Sequence, residues 1–251
     1  MKILCFKNKY DAGMAAASKI AEVIKDKPNA VLGLATGSSP IPTYEHLVAM
    51  NKRGDVSFKN VSSINLDEYI GLAADDPQSY AYFMRKNLFD FVDISLDNTH
   101  IPNGLAEDIQ KECADYESLI SELGIDVQVL GIGHNGHIGF NEPSDEFSEV
   151  THLVELTEST VNANARFFAS LSDVPKSAIS MGIGSILKAK KHILLANGVD
   201  KAEIIEKALF GEITPRVPAS VLQRVDELYV YADHAALSEV LKKHPEAVIY
   251  V

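Results

Sequence analysis

Short apolar segments alternate with longer segments of helical periodicity along the whole chain. The segments with the length and composition of buried strands are 2–6, 30–34, 61–66, 127–130, 151–156, 178–181, 192–196, 228–231 and 247–251. The segments whose apolar spacing predicts helices are 12–25, 40–48, 77–89, 106–123, 158–168, 200–209, 218–224 and 234–243. Because these elements alternate without a linker or repeat, we expect one doubly wound α/β domain over residues 1–251. Its sheet should be single and mostly parallel, with helices on both faces in a Rossmann-like arrangement.

The predicted strand 127–130 leads into a glycine-rich segment, residues 131–143, with the sequence G-I-G-H-N-G-H-I-G-F-N-E-P. Gly131, Gly133 and Gly136 allow the backbone to turn sharply and to pass close to a ligand. Open α/β sheets place their ligands at the carboxyl ends of strands. This segment is therefore the first candidate for an active site.

Four interpretations of this segment compete. The glycines fit the dinucleotide fingerprint G-x-G-x-x-G, with Glu155 near the place of a ribose-binding acid, but Pro143 leaves too little room for the crossover helix. His134, His137 and Glu142 could bind a metal, but they lack the helical spacing of zinc proteases and no cysteine is near. A polar turn explains the glycines but not His137 and Glu142 together. We therefore favour an acid/base site without a metal, in which His137 changes charge near neutral pH.

A second turn, A-T-G-S-S-P at 35–40, follows the predicted strand 30–34. Ser39 is a good N-cap, and Pro40 suits the first position of a helix. A strand, a small polar turn and a helix N-terminus together can bind a phosphate through backbone N–H groups and hydroxyls. The residues that would do so are Thr36, Gly37, Ser38 and Ser39. Simple helix capping explains the same residues equally well.

Charged residues follow two other predicted strands. Asp67 and Glu68 come directly after the strand 61–66, where catalytic groups of α/β proteins lie, although a helix cap or a solvated turn would have the same sequence. Lys201 lies in the first turn of the predicted helix 200–209. A cation there opposes the helix dipole, which suggests a nearby anion, but a solvated lysine is an equally good explanation.

Composition narrows the class of protein. The net charge is −12 and there is one basic cluster, at 188–191, so nucleic acid is not an expected partner. Cys5 and Cys113 make no disulfide framework. The apolar run at the N-terminus is too short for a signal peptide, and no apolar stretch is long enough to span a bilayer. We expect a cytoplasmic protein that does not bind membranes.

Five motifs carry a resemblance to a known family, and the resemblance covers nearly the whole chain. They are L-G-L-A-T-G-S-S-P (32–40), N-L-D-E-Y-I-G-L (65–72), G-H-N-G-H-I-G-F-N-E-P (133–143), N-A-R-F-F (164–168) and G-V-D-K-A (198–202). In these motifs and in their order, the chain resembles the glucosamine-6-phosphate deaminases. The resemblance implies conversion of glucosamine 6-phosphate and water to fructose 6-phosphate and ammonia in amino-sugar catabolism, without a cofactor. Because water is consumed, we describe the predicted enzyme as a hydrolase.

The resemblance also implies catalytic roles. Asp67 would be the base that moves a proton from C2 to C1 of the sugar. His137, oriented by Glu142, would move the proton that opens the sugar ring. Many relatives carry aspartate where this chain has Asn135, and an amide cannot relay a proton as a carboxylate does. We therefore expect Asn135 to orient its neighbours rather than to act as an acid or base.

The remaining roles that the resemblance implies concern phosphate. The turn 36–39 would offer neutral donors, Arg166 a fork of charged donors and Lys201 a point charge. In the family, the segment that contains Arg166 forms a lid over the sugar. The substrate is therefore expected to be a small sugar phosphate, and preference between glucosamine and galactosamine 6-phosphate stays open.

Two rival functions remain beside the deaminase, namely a lactonase and a sugar-phosphate sensor. The related 6-phosphogluconolactonases do not need the 65–69 motif, which is intact here. A non-catalytic sugar-phosphate sensor could lose Asp67 or His137, and both are present.

Regulated deaminases bind N-acetylglucosamine 6-phosphate between subunits of a hexamer through an arginine and a lysine. Those positions align with His152 and Val154 here, and Asp145 aligns with a small hydroxyl residue. We therefore expect the short non-allosteric type, a monomer or small homo-oligomer rather than an allosteric hexamer.

Overall fold

The main sheet of the molecule contains eight parallel strands. The structure is a computed structural model and describes residues 1–165, 168 and 170–251. Its strands are β1 (Lys2–Phe6), β2 (Val31–Leu34), β3 (Ser62–Asn65), β4 (Asp67–Tyr69), β5 (Thr99–His100), β6 (Val127–Leu130), β7 (His152–Glu155), β8 (Ser177–Ser180), β9 (His192–Ala196), β10 (Leu228–Asp233) and β11 (Val248–Tyr250). The main sheet has the order β11-β1-β10-β9-β6-β2-β3-β5, and its pairings are parallel.

Helices cover the faces of this sheet. They are α1 (Lys9–Asp26), α2 (Ile41–Lys52), α3 (Tyr80–Asn87), α4 (Ile109–Leu123), α5 (Glu158–Asn164), α6 (Ile183–Leu187), α7 (Ala202–Phe210) and α8 (Ser238–Lys243). The segment Pro218–Arg224, predicted as a short helix, is a 3-10 helix. Within the ranges given above, no helix is both long and apolar enough to cross a membrane.

Burial on both faces explains why the central strands are almost continuously apolar. Every residue of β2, β6 and β9 is buried, including Gln128 and His192. Strands that are covered by helices on both sides need this composition. The predicted fold class, a mostly parallel sheet with helices on both faces, is confirmed.

A second, three-stranded sheet was not foreseen. It has the order β4-β8-β7 with antiparallel pairing, and Asp67 pairs with Ser180. We expected Asp67 and Glu68 directly after the third strand, and residues 67–69 leave the main sheet at that point and pair with β8. A small apolar cluster, centred on Tyr69, Phe140 and Val154, packs beside this sheet.

The order of the strands creates a crevice at one edge of the main sheet. From β2 the chain proceeds to β3 and β5 on one side, and from β6 it proceeds to β9 and β10 on the other. The loops after the neighbouring strands β2 and β6 therefore diverge. Doubly wound proteins bind their ligands at such a switch point, and both predicted site motifs lie there.

Candidate active site

A cavity of about 840 Å³ opens at the carboxyl ends of β2, β3, β6 and β9. The predicted site residues that line it are Thr36, Gly37, Ser38, Ser39, Asp67, Asn135, His137 and Lys201. Glu142 contacts the ring of His137. Arg166 lies outside the described residues. The structure thus brings the predicted site residues that it describes around one cavity, although they come from four separate parts of the sequence.

Asp67 is a buried carboxyl group at the wall of this cavity. Its exposed fraction is 6%, and among the described residues no donor makes a hydrogen bond to its carboxylate. Burial, with a smaller contribution from the charge of Glu68, raises the pKa of Asp67 to about 8. A buried carboxylate is a stronger base, once it is ionised, than one in water.

The neighbouring carboxylate of Glu68 is bound very differently. It accepts hydrogen bonds from the backbone N–H groups of Tyr69, Tyr80 and Ala81, each at 2.9 Å. Tyr80 and Ala81 begin α3, so Glu68 binds the N-terminus of that helix to β4. Burial nevertheless raises the pKa of Glu68, although these bonds lower it. Glu68 therefore holds the start of α3 in place, whereas Asp67 lines the cavity.

Gly139 permits the close approach of the glycine-rich segment to Asp67. Its φ is +58°, and a Cβ there would lie 3.6 Å from Oδ2 of Asp67 and 3.2 Å from Oγ of Ser180. Ser180 Oγ accepts a hydrogen bond from the N–H of Phe140 at 3.1 Å. A side chain at position 139 would be strained by the positive φ, and its Cβ would lie tight against Oγ of Ser180.

His137 and Glu142 form a second ionisable pair beside the cavity. Nδ1 of His137 lies 3.4 Å from Oε1 of Glu142, and the buried nitrogen has no hydrogen-bond partner in the part of the chain that is described. Catalytic hydrogen bonds are often this long before the substrate binds. Gly133 makes room for the imidazole, because a Cβ at that position would lie 2.3 Å from Cε1 of the ring.

Asn135 links both members of this pair. Its Oδ1 accepts the N–H of His137 at 3.2 Å, and its Nδ2 donates to Oε2 of Glu142. Burial raises the pKa of Glu142, but His137, Thr160 and Asn135 outweigh it, and the pKa is lowered. An aspartate at position 135 would instead place a second negative charge against Glu142.

Thr160 was missed by our sequence analysis. It lies on α5, its exposed fraction is 6%, it lines the cavity, and its hydroxyl donates to Oε1 of Glu142. Eighteen residues separate the two partners, and a threonine on a helix carries no local signal that would have revealed the contact.

The turn after β2 has the expected place but not the expected helix cap. Pro40, not Ser39, precedes α2, and no side chain caps that helix. The N-cap prediction for Ser39 is wrong because the chain turns at Gly37, where φ is +86°, and the helix begins one residue later. Ser39 lines the cavity instead, which leaves its hydroxyl available for a ligand.

The loop after β9 places Lys201 at the wall of the cavity. Asp233, at the end of β10, accepts the N–H of Gly198 at 3.1 and 3.2 Å. Gly198 has a φ of +89°, and a 3-10 turn from Val199 to Lys201 then leads into α7. Lys201 directly precedes α7 rather than lying within its first turn, and it lines the cavity together with Gly198.

Aromatic side chains form another wall of the cavity. Tyr80 lines it, stacks on Phe140 at 6.0 Å between centroids and contacts Tyr69 at 4.7 Å. Phe168 meets the edge of Tyr69 at 6.0 Å. Tyr80 is half-buried. An apolar wall beside Asp67 accounts for the desolvation that raises the pKa of that group.

A dinucleotide site would need a helix directly after the glycine-rich segment, and a metal site would need a group of ligands. The segment between β6 and β7 contains no helix, so the crossover helix of a dinucleotide site is absent there. Among the described residues, no three histidine, cysteine or acidic side chains form a group that could hold a metal ion. His134 points to Asp200, with 3.5 Å between Nδ1 and Oδ2, while His137 contacts Glu142.

Comparisons with known proteins agree with this geometry. Residues 10–230 match the family model described as glucosamine-6-phosphate isomerases/6-phosphogluconolactonase. A glucosamine-6-phosphate deaminase of Lachnoclostridium phytofermentans is 54% identical over 231 residues, which are 92% of this chain and 98% of that protein. One from Clostridioides difficile is 53% identical over 244 residues, 97% of this chain and 98% of that one.

A solved structure is similar over the same extent. It is described as a monomeric glucosamine-6-phosphate deaminase, superposes with a TM-score of 0.93 at 45% identity, and the match covers 95% of this chain and all of that chain. A 6-phosphogluconolactonase from Trypanosoma brucei superposes with a TM-score of 0.73 at 18% identity, over 96% and 99% of the two chains, and shares the fold.

Proposed function

The chain belongs to the family of glucosamine-6-phosphate isomerases and 6-phosphogluconolactonases, and we propose that it converts glucosamine 6-phosphate to fructose 6-phosphate and ammonia. The enzyme is a deaminase that also isomerises its substrate, as are the relatives to which about half of its residues are identical. The observation that supports this activity most directly is the placement of the buried Asp67 carboxyl and the His137–Glu142 pair around one cavity.

The description of the enzyme as a hydrolase is wrong. The family model names isomerases beside lactonases, and the relatives at about 50% identity are deaminases. The lactonase alternative is disfavoured, since a lactonase of known structure is only 18% identical, whereas the deaminases above are more than 50% identical.

Ring opening is the first step that the site has to perform. A proton leaves the C1 hydroxyl, the bond between C1 and the ring oxygen breaks, and the ring oxygen gains a proton. His137, whose Nδ1 lies 3.4 Å from Oε1 of Glu142, can accept and return this proton. Asn135 and Thr160 keep the carboxylate of Glu142 ionised and oriented.

Isomerisation follows at C1 and C2 of the open chain. Asp67 takes the proton from C2, which gives an enolamine, and a proton is added at C1, which leaves an imine at C2. Water then replaces the nitrogen, so that the ketone and ammonia are formed. Holding base and sugar in one cavity makes the proton transfer effectively unimolecular.

Phosphate binding places the sugar for both steps. Residues 36–39 line the cavity, as does Lys201 in the loop after β9. Lys201 supplies a point charge and the turn supplies neutral donors. Arg166, which is outside the described residues, is proposed as a third contact on the resemblance of its motif alone.

The wider setting of the activity is also a proposal. Residues 1–251 would act as one catalytic domain in the cytoplasm, in the catabolism of amino sugars such as N-acetylglucosamine. The similarity to a monomeric deaminase supports a monomer or small homo-oligomer. The partner is a small sugar phosphate, and no role with nucleic acid or membranes is proposed.

Release of ammonia by the purified protein tests this function. Glucosamine 6-phosphate should release ammonia with equal formation of fructose 6-phosphate, and galactosamine 6-phosphate assayed in parallel would establish the preference at C4. The lactone of 6-phosphogluconate serves as the competing substrate. Rapid hydrolysis of the lactone without ammonia release from the amino sugar would contradict the proposal.

A further inference from the structure

We infer that Thr160 is a positioning residue for ring opening, which acts through Glu142 and rests on the function proposed above. Its hydroxyl donates to Oε1 of Glu142. That same oxygen lies 3.4 Å from Nδ1 of His137. Thr160 is the one described residue of α5 that hydrogen-bonds to this carboxylate, so it joins the helix to the acid/base pair.

Thr157 determines the direction of the hydrogen bonds that the hydroxyl of Thr160 makes. Thr157, the N-cap of α5, donates its hydroxyl to Oγ1 of Thr160 at 3.1 Å and accepts the N–H of Thr160 at 3.3 Å. A threonine hydroxyl has one proton. Because Oγ1 of Thr160 receives a proton from Thr157, its own proton is directed to Glu142. The start of α5 thus fixes the rotamer of the donor.

Glu142 needs this donor because its side chain is only 9% exposed. Burial without compensation would favour the protonated form of a carboxyl. Asn135 donates to one oxygen and Thr160 to the other, so neutral donors satisfy both oxygens. The carboxylate can then remain ionised while His137 gains and loses a proton, and Oε1 stays opposite Nδ1.

Loss of the hydroxyl should therefore impair ring opening and leave the later chemistry unchanged. Two other roles are conceivable for a residue that lines the cavity, namely direct contact with the sugar and simple packing of α5. Either of those would impair cyclic and open-chain substrates alike. The ratio of the two rates consequently separates a role through Glu142 from the others.

Thr160→Val removes the hydroxyl and nearly keeps the shape of the side chain, and Thr160→Ser keeps the hydroxyl. The matched control is Thr43→Val, because Thr43 on α2 is fully buried and its hydroxyl has no hydrogen-bond partner among the described residues. The substrates are glucosamine 6-phosphate and its analogue without the 4- and 5-hydroxyls, which cannot form a pyranose or furanose ring.

We expect Thr160→Val to lower kcat for glucosamine 6-phosphate about 10- to 100-fold, as loss of a hydrogen bond to a charged group typically does. KM and the rate on the open-chain analogue should stay within about twofold of wild type. Thr160→Ser should recover most of the lost rate, and Thr43→Val should resemble wild type on both substrates.

Several results would overturn the inference. Equal losses on both substrates, an inactive Thr160→Ser, or a Thr160→Val enzyme with wild-type kcat would each do so. If Thr160→Val does not fold, Thr160→Ala provides the second variant without a hydroxyl, and thermal unfolding of each variant is measured beside its rate. A wild-type protein that releases no ammonia would instead contradict the proposed function itself.

Discussion

Asp67 and Glu68 are adjacent acids with opposite surroundings. Three backbone N–H groups donate to the carboxylate of Glu68, whereas the described residues donate no hydrogen bond to that of Asp67. β4 causes this difference, because alternate side chains of a strand point to opposite sides. One acid therefore binds the start of α3, and the other lies at the wall of the cavity.

Asp67→Asn should abolish turnover while the substrate still binds. The amide keeps the shape of the side chain but cannot accept the C2 proton, and loss of a general base typically lowers kcat 10²- to 10⁴-fold. Ammonia release gives kcat, and calorimetry gives Kd. Asp55→Asn is the matched control, because Asp55 is exposed and pairs with Arg53. A variant that kept more than about a hundredth of wild-type kcat would remove Asp67 from this role.

The rate should rise with pH through the pKa of Asp67. Only the ionised carboxylate accepts a proton, and burial raises the pKa of this group to about 8. At pH values below about 8, kcat/KM should therefore increase up to tenfold per pH unit, and it should level off above. Because the charge of Glu68 contributes to the raised pKa, Glu68→Gln should move the midpoint to lower pH. If the midpoint of the kcat/KM profile does not move in Glu68→Gln, it would be assigned to the substrate amine and not to Asp67.

His137→Gln should slow the cyclic substrate far more than an open-chain one. Glutamine cannot take up and return the proton that ring opening requires, but C2 chemistry depends on Asp67. We expect a loss of about 10²-fold or more in kcat for glucosamine 6-phosphate. The analogue without the 4- and 5-hydroxyls should retain most of its rate. His234→Gln is the control, since His234 is exposed and does not line the cavity. Equal losses on both substrates would place His137 at a later step.

Lys201→Ala should weaken binding through the phosphate. A charge-assisted hydrogen bond contributes about 1.5–3 kcal/mol, so the Kd of glucosamine 6-phosphate should increase about 10- to 100-fold. Binding of unphosphorylated glucosamine, measured by calorimetry, should not change. Arg166→Ala is expected to behave in the same way. The control is Lys207→Ala on α7, which removes the same charge at an exposed position. Equal losses for both sugars would show that neither residue binds the phosphate.

Local sequence patterns predicted the central strands of the main sheet because burial on both faces imposes an apolar composition on them. They could not predict the second sheet, since β4 has three residues and pairs with Ser177–Ser180, more than 100 positions away. In the site, too, local features could be predicted and long-range contacts could not. Turns that follow strands could be recognised, whereas the contact of Thr160 with Glu142 depends on how α5 packs.

The last prediction concerns regulation by N-acetylglucosamine 6-phosphate. Of the positions that bind its phosphate in regulated relatives, Val154 has an exposed fraction of 9% and packs in the cluster with Tyr69 and Phe140, so it offers no cation. His152 is directed to its own chain, with Nδ1 2.9 Å from the carbonyl oxygen of Val150. Asp145, where those relatives have a small hydroxyl, forms an ion pair with Arg216.

Two charge-assisted contacts are thus missing, and each would contribute about 1.5–3 kcal/mol. Coupling between two sites amounts to only about 1–3 kcal/mol, so losses of this size should remove it. We therefore expect hyperbolic kinetics that N-acetylglucosamine 6-phosphate does not change. The measurement is a titration of glucosamine 6-phosphate with and without that sugar, accompanied by its Kd from calorimetry. A sigmoidal curve that becomes hyperbolic when the sugar is added would contradict the prediction.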